Sequence, residues 1–103
     1  MSHEFTRHTT DPDGRNVVFD SGSHPHLAEG LHPWLLDHVE AILGAIARPD
    51  YREDDRRADR ERFYRADFPE PGRWLRVVVD FNDAPARVVS AFDQETDSRL
   101  KRQ

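Results

Sequence analysis

Apolar and polar positions follow two different rhythms along this chain. Between Pro33 and Ala47, Leu35, Val39, Ile42 and Ile46 recur at spacings of four, three and four. Leu36 and Leu43 widen the stripe, while Asp37 and Glu40 face away from it, which predicts an amphipathic helix. His32 stands beside its N-cap, and Pro49 stops it near Ala47 or Arg48. Just upstream, Ser23, Pro25 and Gly30 are ordered as cap, first turn and terminator of a short helix over His24–Gly30.

In the C-terminal half the rhythm shortens to two. Leu75, Val77, Val79 and Phe81 share one face of a predicted strand, and Trp74, Arg76, Val78 and Asp80 share the other. Further strands are predicted over Arg15–Asp20, Glu61–Ala66 and Ala86–Phe92. The loops between the later strands are short, so antiparallel neighbours are strongly preferred; a parallel pair needs a crossover of about a dozen residues. The charged stretch 50–60 reads as a solvated loop. The expected fold is therefore α+β, with an N-terminal strand and helices packed on a three- to four-stranded antiparallel sheet. Residues 1–14 read as a flexible lead, 15–93 as a single domain and 94–103 as a polar tail.

Composition narrows the function. The 103 residues fit one domain, with 36% hydrophobic and 34% charged residues. The absence of cysteine excludes disulfides and thiolate chemistry and fits a reducing cytoplasm. The longest apolar run is Val77–Val79, so no membrane span is expected, and the N-terminus has no signal-peptide pattern. A net charge of −5 argues against non-specific nucleic-acid binding while leaving room for a local basic site.

Two groups of residues could carry chemistry. His24, His26, His32 and His38 lie close together in sequence; they match no familiar zinc spacing, so a metal site is a lesser reading and no cofactor is expected. Arg60, Arg62, Arg65, Arg73 and Arg76 are interleaved with Tyr64 and Trp74 on two strands that should pair. A guanidinium fork matches phosphate oxygens and an aromatic face stacks a base. The plainer reading pairs these arginines with Asp59, Glu61 and Asp80 on a solvated face. Ser90 is a small hydroxyl in an apolar strand, with no nucleophile elbow around it. Glycine-rich phosphate loops are absent.

The ordered set His26-Leu27, His32-Pro33-Trp34-Leu35, Pro49-Asp50, Arg62-Phe63-Tyr64-Arg65, Trp74 to Val79 and Val88-Val89-Ser90-Ala91-Phe92 resembles the small barnase–EndoU–colicin–RelE-like nuclease domains, near the BrnT-type toxins. Trp34 stands where those domains usually have glutamate, and the first histidine is out of register by about one residue. The resemblance implies a metal-independent ribonuclease, with RNA as substrate and a separate antitoxin chain as partner. By that resemblance His26 and His32 would be acid and base, with His24 in reserve. Arg62, Arg65 and Arg76 would hold phosphate, Ser90 would assist by a hydrogen bond, and Tyr64 and Trp74 would contact the base. The alternative is a non-catalytic protein-interaction or regulatory module of the same fold, which the acidic net charge suits better.

Overall fold

The computed structural model describes residues 6–20, 38–82 and 84–96. Six strands form one mixed sheet: β1 (Thr6–Thr10), β2 (Asn16–Asp20), β3 (Tyr51–Asp54), β4 (Arg60–Ala66), β5 (Arg73–Asp80) and β6 (Ala86–Glu95). Their order across the sheet is β1-β2-β6-β5-β4-β3. One helix, α1 (Val39–Ala47), is found among the described residues.

This corrects the expected fold. The chain is mostly β, with a six-stranded mixed sheet in place of helices on a three- or four-stranded antiparallel one. Three local misreadings account for the difference. Thr6–Thr10, read as part of a flexible lead, pairs antiparallel with β2 through the turn Asp11-Pro12-Asp13-Gly14. Tyr51–Asp54, read as charged loop, pairs antiparallel with β4. β6 runs past Phe92 to Glu95 and pairs parallel with β2. That parallel pair is sterically simple because a long stretch of chain separates the two strands. The antiparallel β4–β5–β6 meander and the end of α1 at Ala47 agree with the sequence pattern. The histidine-rich segment 24–30 and the predicted first turns of the main helix lie outside the described residues.

α1 packs against β1, β4 and β5. It buries Ile42, Leu43, Ala45 and Ile46 on Val17 and Phe19 of β2, Phe63 of β4, Leu75, Val77 and Val79 of β5, and Val88 and Ala91 of β6. The pairing of Val79 with Val88 and of Val78 with Ser90 leaves Val89 as an extra residue in β6. This bulge changes the parity of β6, so that Val88 before it and Ala91 after it both reach the core. The register then assigns every other side chain of β3–β6 to the second face of the sheet. There, Tyr64, Ala66 and Trp74 form a small buried cluster flanked by Tyr51.

Among the described residues no helix is long and apolar enough to cross a membrane.

Candidate anion-binding site

Strand pairing builds two neighbouring rows on the second face. Glu53, Arg62, Val78 and Ser90 stand side by side on β3, β4, β5 and β6. Tyr51, Tyr64, Arg76 and Phe92 form the next row. Two arginines on adjacent strands are thereby set diagonally, within reach of one another's partners.

The β3–β4 connection adds the remaining groups. It is closed by a hydrogen bond from the Asp55 amide to the Arg60 carbonyl at 2.9 Å, and Asp59 turns the chain at φ 64°. Aspartate tolerates this left-handed conformation better than most residues. The connection carries Asp55, Arg56 and Arg57 beside the two rows. Asp54, Asp55, Arg56, Arg57, Arg62 and Arg76 line an open hollow of about 780 Å³.

The ion pairs within this group are unequal. Arg62 donates from Nε to Asp55 Oδ1 at 2.7 Å and from Nη1 to Glu53 Oε2 at 3.1 Å. The Tyr64 hydroxyl donates to the same Glu53 oxygen at 2.6 Å. Asp55 Oδ2 accepts the Arg57 amide at 3.2 Å. Burial raises the Asp55 carboxyl, but the Arg62 hydrogen bond and the loop amides together bring it below the ordinary aspartate value. Burial and the Glu53 contact push the Tyr64 hydroxyl up, keeping it protonated.

Arg76 is different. Its Nη2 lies 3.7 Å from Asp55 Oδ1, beyond hydrogen-bond reach, and its guanidinium stacks over Phe92 at 5.0 Å. Its Nε is buried and meets no acceptor among the described residues. Burial, reinforced by the positive charge of Arg62, lowers its pKa from the usual arginine value. The group stays cationic at neutral pH, since arginine does not lose its proton in proteins. Arg76 thus presents a mostly buried cation at the edge of an arginine-lined hollow, its Nε without an acceptor among the described residues.

The expected site residues are distributed as follows. Arg62, Arg76, Tyr64, Trp74 and Ser90 share the second face. Arg65 lies on the opposite face, where its Nη1 donates to the carbonyls of Gly44 at 3.4 Å and Arg48 at 3.2 Å, at the end of α1. Tyr64 and Trp74 are buried, at 0% and 4% exposure, so neither offers a ring face to a base. Trp74 Nε1 donates to Thr96 Oγ1 at 2.8 Å. His24, His26 and His32 lie outside the described residues. His38 packs edge-on against Phe68 at 5.5 Å. Among the described residues no three histidine, cysteine, aspartate or glutamate side chains converge as a metal site requires.

Sequence reasoning missed Glu53, Asp55, Arg56 and Arg57, which it took for solvated loop. The alternation of Tyr51 and Glu53 with Arg52 and Asp54 was the available sign of a strand. No family model, no curated protein and no solved structure matches the chain.

Proposed function

We propose that the protein is a non-catalytic binding module, capturing an anionic group of a protein partner in the hollow between Arg76 and the β3–β4 connection. The observation that carries this reading is the guanidinium of Arg76, which borders the hollow with its Nε lacking an acceptor among the described residues and its Nη2 3.7 Å from Asp55. Arg56 and Arg57 are exposed at the same opening. An arginine fork held by the sheet and stacked on an aromatic ring is well prepared for a carboxylate or phosphate, because little side-chain freedom is lost on binding.

The ribonuclease expected from the resemblance draws less support from the same residues. Arg62 already serves two carboxylates, and Arg65 serves the end of α1 on the other face. Tyr64 donates its hydroxyl to Glu53 and has no exposed ring. Neither His8 nor His38 lines the hollow. The net charge of −5 opposes a long nucleic-acid partner and favours a compact local contact.

The test compares the native chain with Arg76→Gln, both first shown to unfold at the same temperature. A glutamate-rich decapeptide should bind the native chain in a salt-sensitive manner and bind Arg76→Gln roughly tenfold to a hundredfold more weakly, as loss of a charge-assisted hydrogen bond implies. Incubation with mixed RNA in EDTA supplies the opposing result. Cleavage by the native chain that disappears in Arg76→Gln overturns the binding reading in favour of the nuclease.

A further inference from the structure

We infer that the anionic group is a phosphoryl dianion on the partner protein, and that Asp55 is the internal carboxylate it displaces. This rests on the binding reading above and specifies its ligand. Two features of the hollow support it.

The first is charge. Arg56, Arg57, Arg62 and Arg76 stand against Asp54, Asp55 and the Glu53 that Arg62 binds, an excess of one positive charge that becomes two once Asp55 swings aside, in a chain whose total is −5. A phosphoserine or phosphothreonine carries about −1.5 to −2 at neutral pH, close to that local excess, whereas a side-chain carboxylate carries one charge.

The second is geometry. Asp55 Oδ1 is the acceptor lying between the two arginines, at 2.7 Å from Arg62 Nε and 3.7 Å from Arg76 Nη2. Its Oδ2 is held by the Arg57 amide. Drawn to Arg62 through Oδ1 and anchored through Oδ2 by the Arg57 amide, the Asp55 carboxylate stops 3.7 Å short of Arg76 Nη2. A tetrahedral phosphoryl group has three oxygens, enough to meet Arg62, Arg76 and an arginine of the connection together. Asp55 therefore half-fills the place. It satisfies Arg62 while the site is empty, leaves Arg76 waiting, and must swing aside for a ligand that satisfies both. The contact is autoinhibitory: an unphosphorylated segment has to compete with a carboxylate tethered beside it.

The experiment uses one decapeptide with serine, glutamate or phosphoserine at its centre, titrated by fluorescence anisotropy against the native chain, Asp55→Asn, Asp55→Ser and Arg76→Gln. Asp55→Ser retains an oxygen able to accept the Arg57 amide, which guards against loss of the loop fold. Phosphoserine should bind about tenfold tighter than glutamate. Both Asp55 variants should tighten it by about fivefold further, and Arg76→Gln should erase the preference. Equal affinity for glutamate and phosphoserine overturns the inference while the binding reading stands. So does a phosphoserine affinity left unchanged by both Asp55 variants. Failure of every peptide to bind removes the binding reading itself. A 5′-phosphorylated oligoribonucleotide bound more tightly than the phosphopeptide overturns the assignment to a protein partner.

Discussion

Asp11 is the residue whose removal should cost most for its size. It sits in the β1–β2 turn with its side chain fully buried. Its Oδ1 accepts the amides of Asp13 at 3.0 Å and Arg15 at 2.8 Å, and its Oδ2 accepts Arg15 Nε at 2.7 Å. Hydrogen bonds to an ionised group contribute about 1.5–3 kcal/mol each. Water can replace part of this in Asp11→Ala, because Pro12, Asp13 and Gly14 are exposed. Arg15 also keeps its two bonds to Glu61, at 2.7 and 3.0 Å, so its charge is not orphaned. The net expectation is a loss of about 3 kcal/mol, a large share of the 5–15 kcal/mol typical of a domain. At roughly 4–8 °C per kcal/mol the melting temperature should fall by at least about 12 °C. Urea unfolding followed by tryptophan fluorescence measures this, since Trp74 is buried in the folded chain. Asp11→Asn keeps an acceptor for the two amides but turns an NH₂ group toward Arg15 Nε, and should lose about half as much. Asp11→Ala unfolding within about 0.5 kcal/mol of the native chain would refute the claim that this carboxylate organises the turn.

Three further outcomes are expected of the same fold. Arg65→Ala should cost about 1 kcal/mol in urea, through the two carbonyl contacts at the end of α1, and leave peptide binding unchanged; weakened binding would place Arg65 in the site after all. The Glu61 carboxyl is held below its usual value, chiefly by Arg15, with Arg52 assisting against burial. A depressed carboxylate stabilises fully above its unfolded pKa, near 4.3, and that stability is lost as pH falls through the lower folded value. Urea midpoints should accordingly change little from about pH 7 to about pH 5, fall below that, and fall less steeply in Glu61→Gln. Gly14→Ala meets no atom within 4 Å, so its loss, about 1–2 kcal/mol by thermal unfolding, should reflect the φ of 85° alone.

Period-two alternation made β5 and the antiparallel meander around it legible, because Leu75, Val77 and Val79 face a core on one side only. The same alternation already separates Arg62 from Arg65: three residues apart on a strand, they point to opposite faces. A phosphate clamp using both was therefore at odds with the strand predicted for them. β1 and β3 were illegible for a different reason. Their sequences, Thr-Arg-His-Thr-Thr and Tyr-Arg-Glu-Asp, carry almost no apolar signal, since the described sheet ends with them and they are held by backbone pairing and ion pairs. In β6 the bulge at Val89 broke the simple alternation, and the parallel pairing with β2 depends on contacts far apart in sequence. The Arg62–Asp55–Arg76 arrangement needed both the β3–β4 register and a folded connection, neither of which composition reveals.

Among the described residues, arginines also help to cover the core. A nine-residue helix is about 13 Å long, whereas six strands span about 24 Å across the sheet. Among the described residues, α1 therefore covers only part of the apolar face. At another part of that face the β1–β2 turn is lashed to β3 and β4 by Arg15 and Arg52, which share Glu61 and bind Asp11 and Asp13. The guanidinium of Arg15 lies 3.7 Å over the Phe81 ring and that of Arg52 lies 5.1 Å over Phe63. Planar cations fixed by carboxylates thus roof these aromatic side chains, and desolvation of the rings strengthens both contacts. Arg76 has the same stacking on Phe92 without a hydrogen-bonding carboxylate. If packing alone set its place, a carboxylate as close as those beside Arg15 and Arg52 would be expected to complete it. Arg76 instead keeps Asp55 at 3.7 Å, beyond hydrogen-bond reach, and it is on this difference that the proposed ligand site rests.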